Sequence, residues 1–322
     1  MLEAHNLLTQ YQYALVPYRG QVVNYIRLND IKNKVEAQKR VAEVAKNIYG
    51  DTSNEYIEEL DYLNTCHWEN SDLNSIKENI HNILAVIETK DKISGVDFQT
   101  DTTYLNYKNE IVSYCVAFQD WHGVVKEGSS LVNIYRQNGM TSSPVYLELL
   151  DDLITGYHIT GDYLAESLLF VEYETLSEFL GQKESEEYCS YLGLKAEALT
   201  FLYRLDEYKL TIEELTILKH KLYGELSLQS VQQEGLIANH YVSMDKHNDA
   251  YQHILKCYEI LESENCKFDD QKDSLIVTSN LHNLEGQIWV TSNPKGAEQA
   301  LLQAVEEYNL TGQIAFPPLN NL

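Results

Sequence analysis

The chain has 322 residues, 44% hydrophobic and 23% charged, enough to bury a sizeable core in one large domain or two ordinary ones, which excludes a disordered tail. Its 15 glycines and 5 prolines are too few for the many turns of a sandwich, barrel or propeller, and favour helices. With 49 acidic against 24 basic residues the net charge is −25, a field that repels nucleic-acid backbones and anionic lipid surfaces and suits neutral or basic partners.

Apolar residues recur at helical spacing almost throughout. They predict a helix around 4–14 ended by Pro17, then helix pairs near 18–48, 54–90, 102–137, 144–180, 184–222, 226–264 and 269–309. The expected organisation is a capping helix over 1–17, a helical repeat domain over 18–309 and an extended tail over 310–322 containing Phe316-Pro317-Pro318, with no Ser/Gly/Pro-rich linker. Two markers give the repeat its period. Gly50, Gly95, Gly139, Gly181 and Gly224 stand 45, 44, 42 and 43 residues apart, and four of them close an apolar run, where a residue without Cβ ends a helix cheaply. Tyr56, Tyr104, Tyr146 and Tyr188, spaced 48, 42 and 42, each open the next run and are expected to pack at the repeat seams. Ser143 before Pro144, Asn293 before Pro294, and Thr211 with Glu214 carry helix-start signals. One helix pair cannot bury both its faces, so pairs must stack and share a core.

The five cysteines, Cys66, Cys115, Cys189, Cys257 and Cys266, are odd in number and scattered without a C-x-x-C, which predicts core thiols in a reducing compartment. No secretory pattern opens the sequence and no run nears the roughly 18 apolar residues of a membrane span, so a cytoplasmic location is expected.

The period of 42 to 45 exceeds the standard tetratricopeptide repeat of about 34 and is similar to the longer repeats of kinesin light chains. Gly161-Asp162-Tyr163 resembles the turn into helix B of that family. Ala250 with Cys257, and Ala297 with Ala304, resemble its paired small residues, and Leu284, Gly286 and Trp289 resemble its helix A. The glycine-to-tyrosine pattern of 139–147 and 181–188 also looks like the repeats that accompany bacterial caspase-like CHAT peptidases, although nothing after residue 309 leaves room for such a domain. The resemblance covers about 18–309 and implies an all-α, right-handed superhelical α-solenoid of about seven antiparallel helix pairs that binds protein or peptide.

Catalytic signals are sparse. His240, Asp245, His247, Asp249 and His253 cluster in sequence, but no two of the histidines share the i, i+4 helical spacing that zinc uses, and the group reads as solvated turn residues rather than a metal site. Nucleotide, metalloprotease and serine-hydrolase motifs do not occur, so no catalytic residue, metal or cofactor is expected. Lys32, Lys34, Lys39, Arg40 and Lys46 form a basic island with Glu36 and Glu43, read as a solvated face with i, i+4 pairs or a dock for acidic surface. In the implied solenoid helix A lines the groove, which makes Glu58, Asp61, Asn106, Asn109, Glu148, Asp151, Asp152, Glu197 and Asn239 the candidate ligand contacts. Carboxylates and amides along a groove suit the backbone and basic side chains of an extended peptide. The function expected is a non-catalytic scaffold or adaptor for a protein or extended peptide, such as the recognition partner of a CHAT-type peptidase. A cytoplasmic receptor for a short signalling peptide, and an enzyme built on a helical scaffold around the histidines, stay open.

Overall fold

Short polar side chains at fixed spacing set where the helices begin. Ser53, Asp101, Ser143, Ser185 and Ser227 each accept a hydrogen bond from the backbone N–H three residues on, satisfying an amide that the first helical turn leaves unpaired. Asp30, Asp72, Asp120 and Asp162 do the same for the second helix of their pairs. The computed structural model describes residues 2–263, 266 and 270–312, with the backbone alone for 2–14 and 271.

The resulting pairs are α1 (Leu2–Arg27) with α2 (Ile31–Tyr49), α3 (Asn54–Glu69) with α4 (Leu73–Ser94), and α5 (Thr102–Ala117) with α6 (Trp121–Gln137). Next come α7 (Pro144–Thr160), the broken α8 (Tyr163–Ser167) and α9 (Phe170–Phe179), and α10 (Glu186–Phe201) with α11 (Leu205–Tyr223). The last are α12 (Leu228–Ser243) with α13 (His247–Leu261), and α14 (Gln271–Trp289) with α15 (Pro294–Leu310). Among the described residues there is no strand. The fold is therefore all-α, as expected, and built of successive helices that pack in antiparallel pairs within each unit.

These elements gather into two compact units, Met1–Gly161 and Asp162–Leu322. Within the first, each helix from α1 to α7 packs on the next, and α5 also packs on α7. Its core includes Ile76, Ile80 and Ile83 of α4, Ile111 of α5, Leu131 of α6 and Leu153 of α7. Within the second, α8 packs on α10, the helices from α10 to α15 follow in order, and α12 packs on both α10 and α14. Tyr188, Tyr191, Tyr208 and Ile254 are fully buried there.

The turns explain the regular spacing. Asn29, Ser71, Gln119, Gly161, Tyr203 and Asp245 all have left-handed φ of 53–79° and join the two halves of successive pairs. Except at Gly161, the next N–H (from Asp30, Asp72, Asp120, Arg204 or Lys246) reaches the carbonyl five residues back at 2.8–3.0 Å, which closes the helix end. The glycine series falls at the other joints, all with positive φ. Gly50 and Gly224 combine that φ with ψ of 159° and 153°, a region only glycine occupies without strain.

Several helix expectations are corrected. Helix α1 does not end at Pro17 but runs through it. Proline costs about 3 kcal/mol inside a helix, yet Leu15 before it and Val22 after it are both buried against Ala37, Val41 and Ala45 of α2, which holds the helix together across the missing hydrogen bond. Thr211 does not start a helix: it lies buried inside α11, which begins at Leu205 without a side-chain cap. Residues 313–322 of the expected tail lie outside the described residues.

Small residues sit where helices cross. A Cβ on Gly286 would come within 2.5 Å of Leu301 Cγ and 3.3 Å of the Ala297 carbonyl, and one on Gly156 within 3.0 Å of Val124. Ala250, Cys257, Ala297 and Ala304 are all buried.

Candidate functional site

The first helix of each pair carries most of the polar residues singled out in the sequence. In the first unit the Asp61 carboxyl of α3 faces the Tyr107 hydroxyl of α5, close enough for each to shift the other's titration. Glu110 and Tyr114, one and two turns along α5 from Tyr107, share this environment. Burial raises the Asp61 carboxyl, and burial followed by the Asp61 charge raises Glu110. Burial, then the charges of Asp61 and Glu110, pushes the Tyr107 hydroxyl up. On α7, Asp152 is pushed up to about 6, first by burial and then by Asp151 and Glu148. Carboxylates crowded in this way hold unfavourable potential that a cation relieves.

Each predicted site residue has a definite place. Glu58 lines a hollow of about 340 Å³ with Arg19, Gln38, Glu59 and Tyr62, beside the Asp61–Tyr107 pair. Asn106 and Glu148 are exposed, and Asp151 is half-buried. Asn109 turns to its own pair, donating to the Leu105 carbonyl at 2.9 Å and to the Tyr135 hydroxyl of α6 at 3.0 Å. In the second unit Glu197 is half-buried near Tyr163 and His240. Asn239 lines a separate groove between α12 and α14. Tyr107, Glu110 and Tyr114 were missed because Asn106 and Asn109 looked like the polar face. The i, i+3, i+7 spacing of those three residues was the available signal.

The recurrent tyrosines pack rather than face ligand. Tyr104, Tyr146 and Tyr188 are buried, with Tyr146 against the Tyr135 ring at 5.3 Å and Tyr188 donating to Glu214 at 3.1 Å. Tyr56 is half-buried.

The histidine cluster disperses onto separate partners. His240 is buried with Nδ1 3.2 Å from the Tyr208 hydroxyl, and burial pushes it down to about 4. His253 meets Glu234 at 2.6 Å, and His247 meets Asp245 at 3.2 Å. Among the described residues no three His, Cys, Asp or Glu side chains form a metal-ligand group, and no helix is long and apolar enough to cross a membrane. The basic island is partly internal, since Lys34 is buried and holds both oxygens of Glu69 on α3 at 2.7–2.8 Å. Lys39 pairs with Glu36 at 3.1 Å rather than with the expected Glu43. All five cysteines are unpaired thiols.

No family model matches the chain, and no curated protein matches it. Solved structures similar to it include the nearly identical TPR-like repeats of a Podosopora anserina kinesin light chain, at 13% identity over 65% of this chain and 96% of that one, with a TM-score of 0.45. BtubC from P. vanneervenii is 11% identical over 79% of this chain and 94% of its own, with a TM-score of 0.49. A tetratricopeptide repeat protein from Parabacteroides merdae is 13% identical over 96% and 94%, with a TM-score of 0.46. At these identities the likeness concerns the helical repeat fold alone.

Proposed function

We propose that this chain is a non-catalytic scaffold that binds an extended, basic segment of a partner protein along α3, α5 and α7. The observation that carries the reading is the convergence of Asp61, Tyr107 and Glu110 across two adjacent helices, with Asp152 on the third held well above the usual carboxylate range. An incoming Lys or Arg lowers the potential at these groups and finds acceptors already in place. The peptidase partner and the cytoplasmic location are supported by the repeat resemblance and the sequence pattern only.

Fluorescence polarisation tests this with three labelled extended decapeptides, one rich in Lys and Arg, one with Gln in their place and one with Glu. The basic peptide is expected to bind best, to weaken as salt rises, and to lose about tenfold in the Asp61→Asn/Asp152→Asn variant. Because a bound cation favours the Asp152 carboxylate, affinity is expected to fall as pH drops through about 6. Equal affinity for the three peptides, or an unchanged value in the variant, overturns the reading.

A further inference from the structure

The groove between α12 and α14 is a second site of different chemistry. Its open volume is about 420 Å³, within the range of about 300–1,000 Å³ that holds small ligands or part of a peptide. None of its lining residues is charged, in a chain where 23% of residues are. The side-chain amides of Gln232 and Asn239 on α12 and of Asn280 and Asn283 on α14 stand over an apolar floor that includes Leu236 and Leu281. Among the described residues none hydrogen-bonds to those four amides.

The register strengthens the assignment. Counted from the helix cap, Gln232 occupies the place of Glu58 and Glu148, Gly235 that of Asp61 and Asp151, and Leu236 that of Glu110 and Asp152. The groove thus presents the same helical face as the acidic site with its charges replaced by amides, a glycine and a leucine. At Gly235 a Cβ would meet only Leu281 Cδ2, at 3.9 Å, so the glycine is not there to let helices cross; it leaves the groove open.

We infer that this groove binds an extended, uncharged peptide segment, the amides pairing with its backbone and the floor taking one bulky apolar side chain. A carboxamide offers both a donor and an acceptor, which matches a peptide group and neither a lone cation nor a lone anion. A charged side chain entering the groove would leave water for a wall with no counter-charge. This inference goes beyond the acidic site and stands without it.

The test uses the full chain and blocked decapeptides of Ser and Gly whose single central residue is Leu, Phe, Ser, Lys or Glu. The Leu and Phe peptides are expected to bind at least tenfold tighter than the Ser, Lys and Glu peptides, with little dependence on salt. Gly235→Leu, which fills the groove, is expected to weaken the Leu peptide at least tenfold, as is Asn239→Ala with Asn283→Ala, while Gly235→Ala changes it less. Asp61→Asn/Asp152→Asn is expected to leave it unchanged, which separates this site from the acidic one. Circular dichroism and the thermal midpoint check that each variant is folded. The inference is overturned if the Lys or Glu peptide binds as well as the Leu peptide, if folded Gly235→Leu and the asparagine variant both bind normally, or if N-acetyl-leucinamide alone binds as tightly as the decapeptide.

Discussion

Counted from the helix caps, α3, α5 and α7 carry Glu58, Asp61, Glu110, Glu148 and Asp152 in the register where α12 carries Gln232, Gly235 and Leu236, with Asn239 one turn further on. The backbone that carries them hardly differs: α3, α5, α10 and α12 are all 16 residues long and start from a Ser or Asp cap. The packing positions and the caps fix the fold, which leaves the chemistry of the register between them free to differ from helix to helix. Buried titratable groups of both kinds occur in each unit: burial raises Asp152 in the first and Glu285 in the second, and lowers His67 in the first and His240 in the second. Asp152 and His240 respond to acid with opposite sign.

The largest expected effect contrasts two glycines of the second unit. Gly286→Ala drives a methyl group into Leu301 and toward the Ala297 carbonyl, and urea unfolding is expected to show a loss of about 1–3 kcal/mol. Gly235→Ala, with open space, is expected to be neutral or stabilising by less than about 1 kcal/mol. Similar losses at both would break the distinction between a crossing point and a ligand groove.

Next comes His240. Held neutral down to about pH 4 in the fold, against 6.5 as its ordinary value, it binds fewer protons folded than unfolded across that window, so acidification favours unfolding. Between pH 7 and pH 5 this is worth about 2 kcal/mol, and His240→Asn is expected to remove that share of the pH dependence. Asp152 works the other way. Keeping its proton up to about pH 6, against 3.8 ordinarily, it favours folding as pH falls. Replacing it by Asn is expected to remove about 1 kcal/mol of acid stabilisation over the same range. His67, also buried and held down by burial, opposes Asp152 within the first unit, so each variant is compared with the parent chain across pH.

The smallest effects lie at the turns. Asp72→Ala removes the cap on Ser75 N–H and is expected to cost about 1 kcal/mol in thermal unfolding. Arg204 and Lys246 sit at the equivalent position without a side-chain cap bond. Lys246→Asp is expected to gain about 0.5 kcal/mol, bringing that turn of the second unit level with those of the first.

Much of the fold was legible because glycines and tyrosines recur where helices must stop and start. The joints within pairs were harder to read: their left-handed residues are Asn, Ser, Gln, Gly, Tyr and Asp, which share no side-chain chemistry. The aspartates just after four of them, Asp30, Asp72, Asp120 and Asp162, were a readable signal. Helix α1 passing Pro17 was not readable, since it depends on burial against α2. Of the site, Asp61 and Asp152 follow from polarity at groove positions. Tyr107 does not, because spacing alone cannot separate a tyrosine that meets a carboxylate across helices from one that fills a core, as Tyr104 does.

From Ser53 to Asp72, Asp101 to Asp120, Ser143 to Asp162, Ser185 to Arg204 and Ser227 to Lys246, the distance between caps is always 19 residues. The six residues that lengthen one repeat from 42 to 48 fall after Asp72, in the 22-residue α4 and the 3-10 turn Phe98–Thr100. A gene coding for such a chain can lose or duplicate a whole block between equivalent bends and keep every cap with its own helix. An insertion between two caps 19 residues apart would put the side chains of the first helix out of phase, whereas α4 and the 3-10 turn absorb six extra residues with every cap in place.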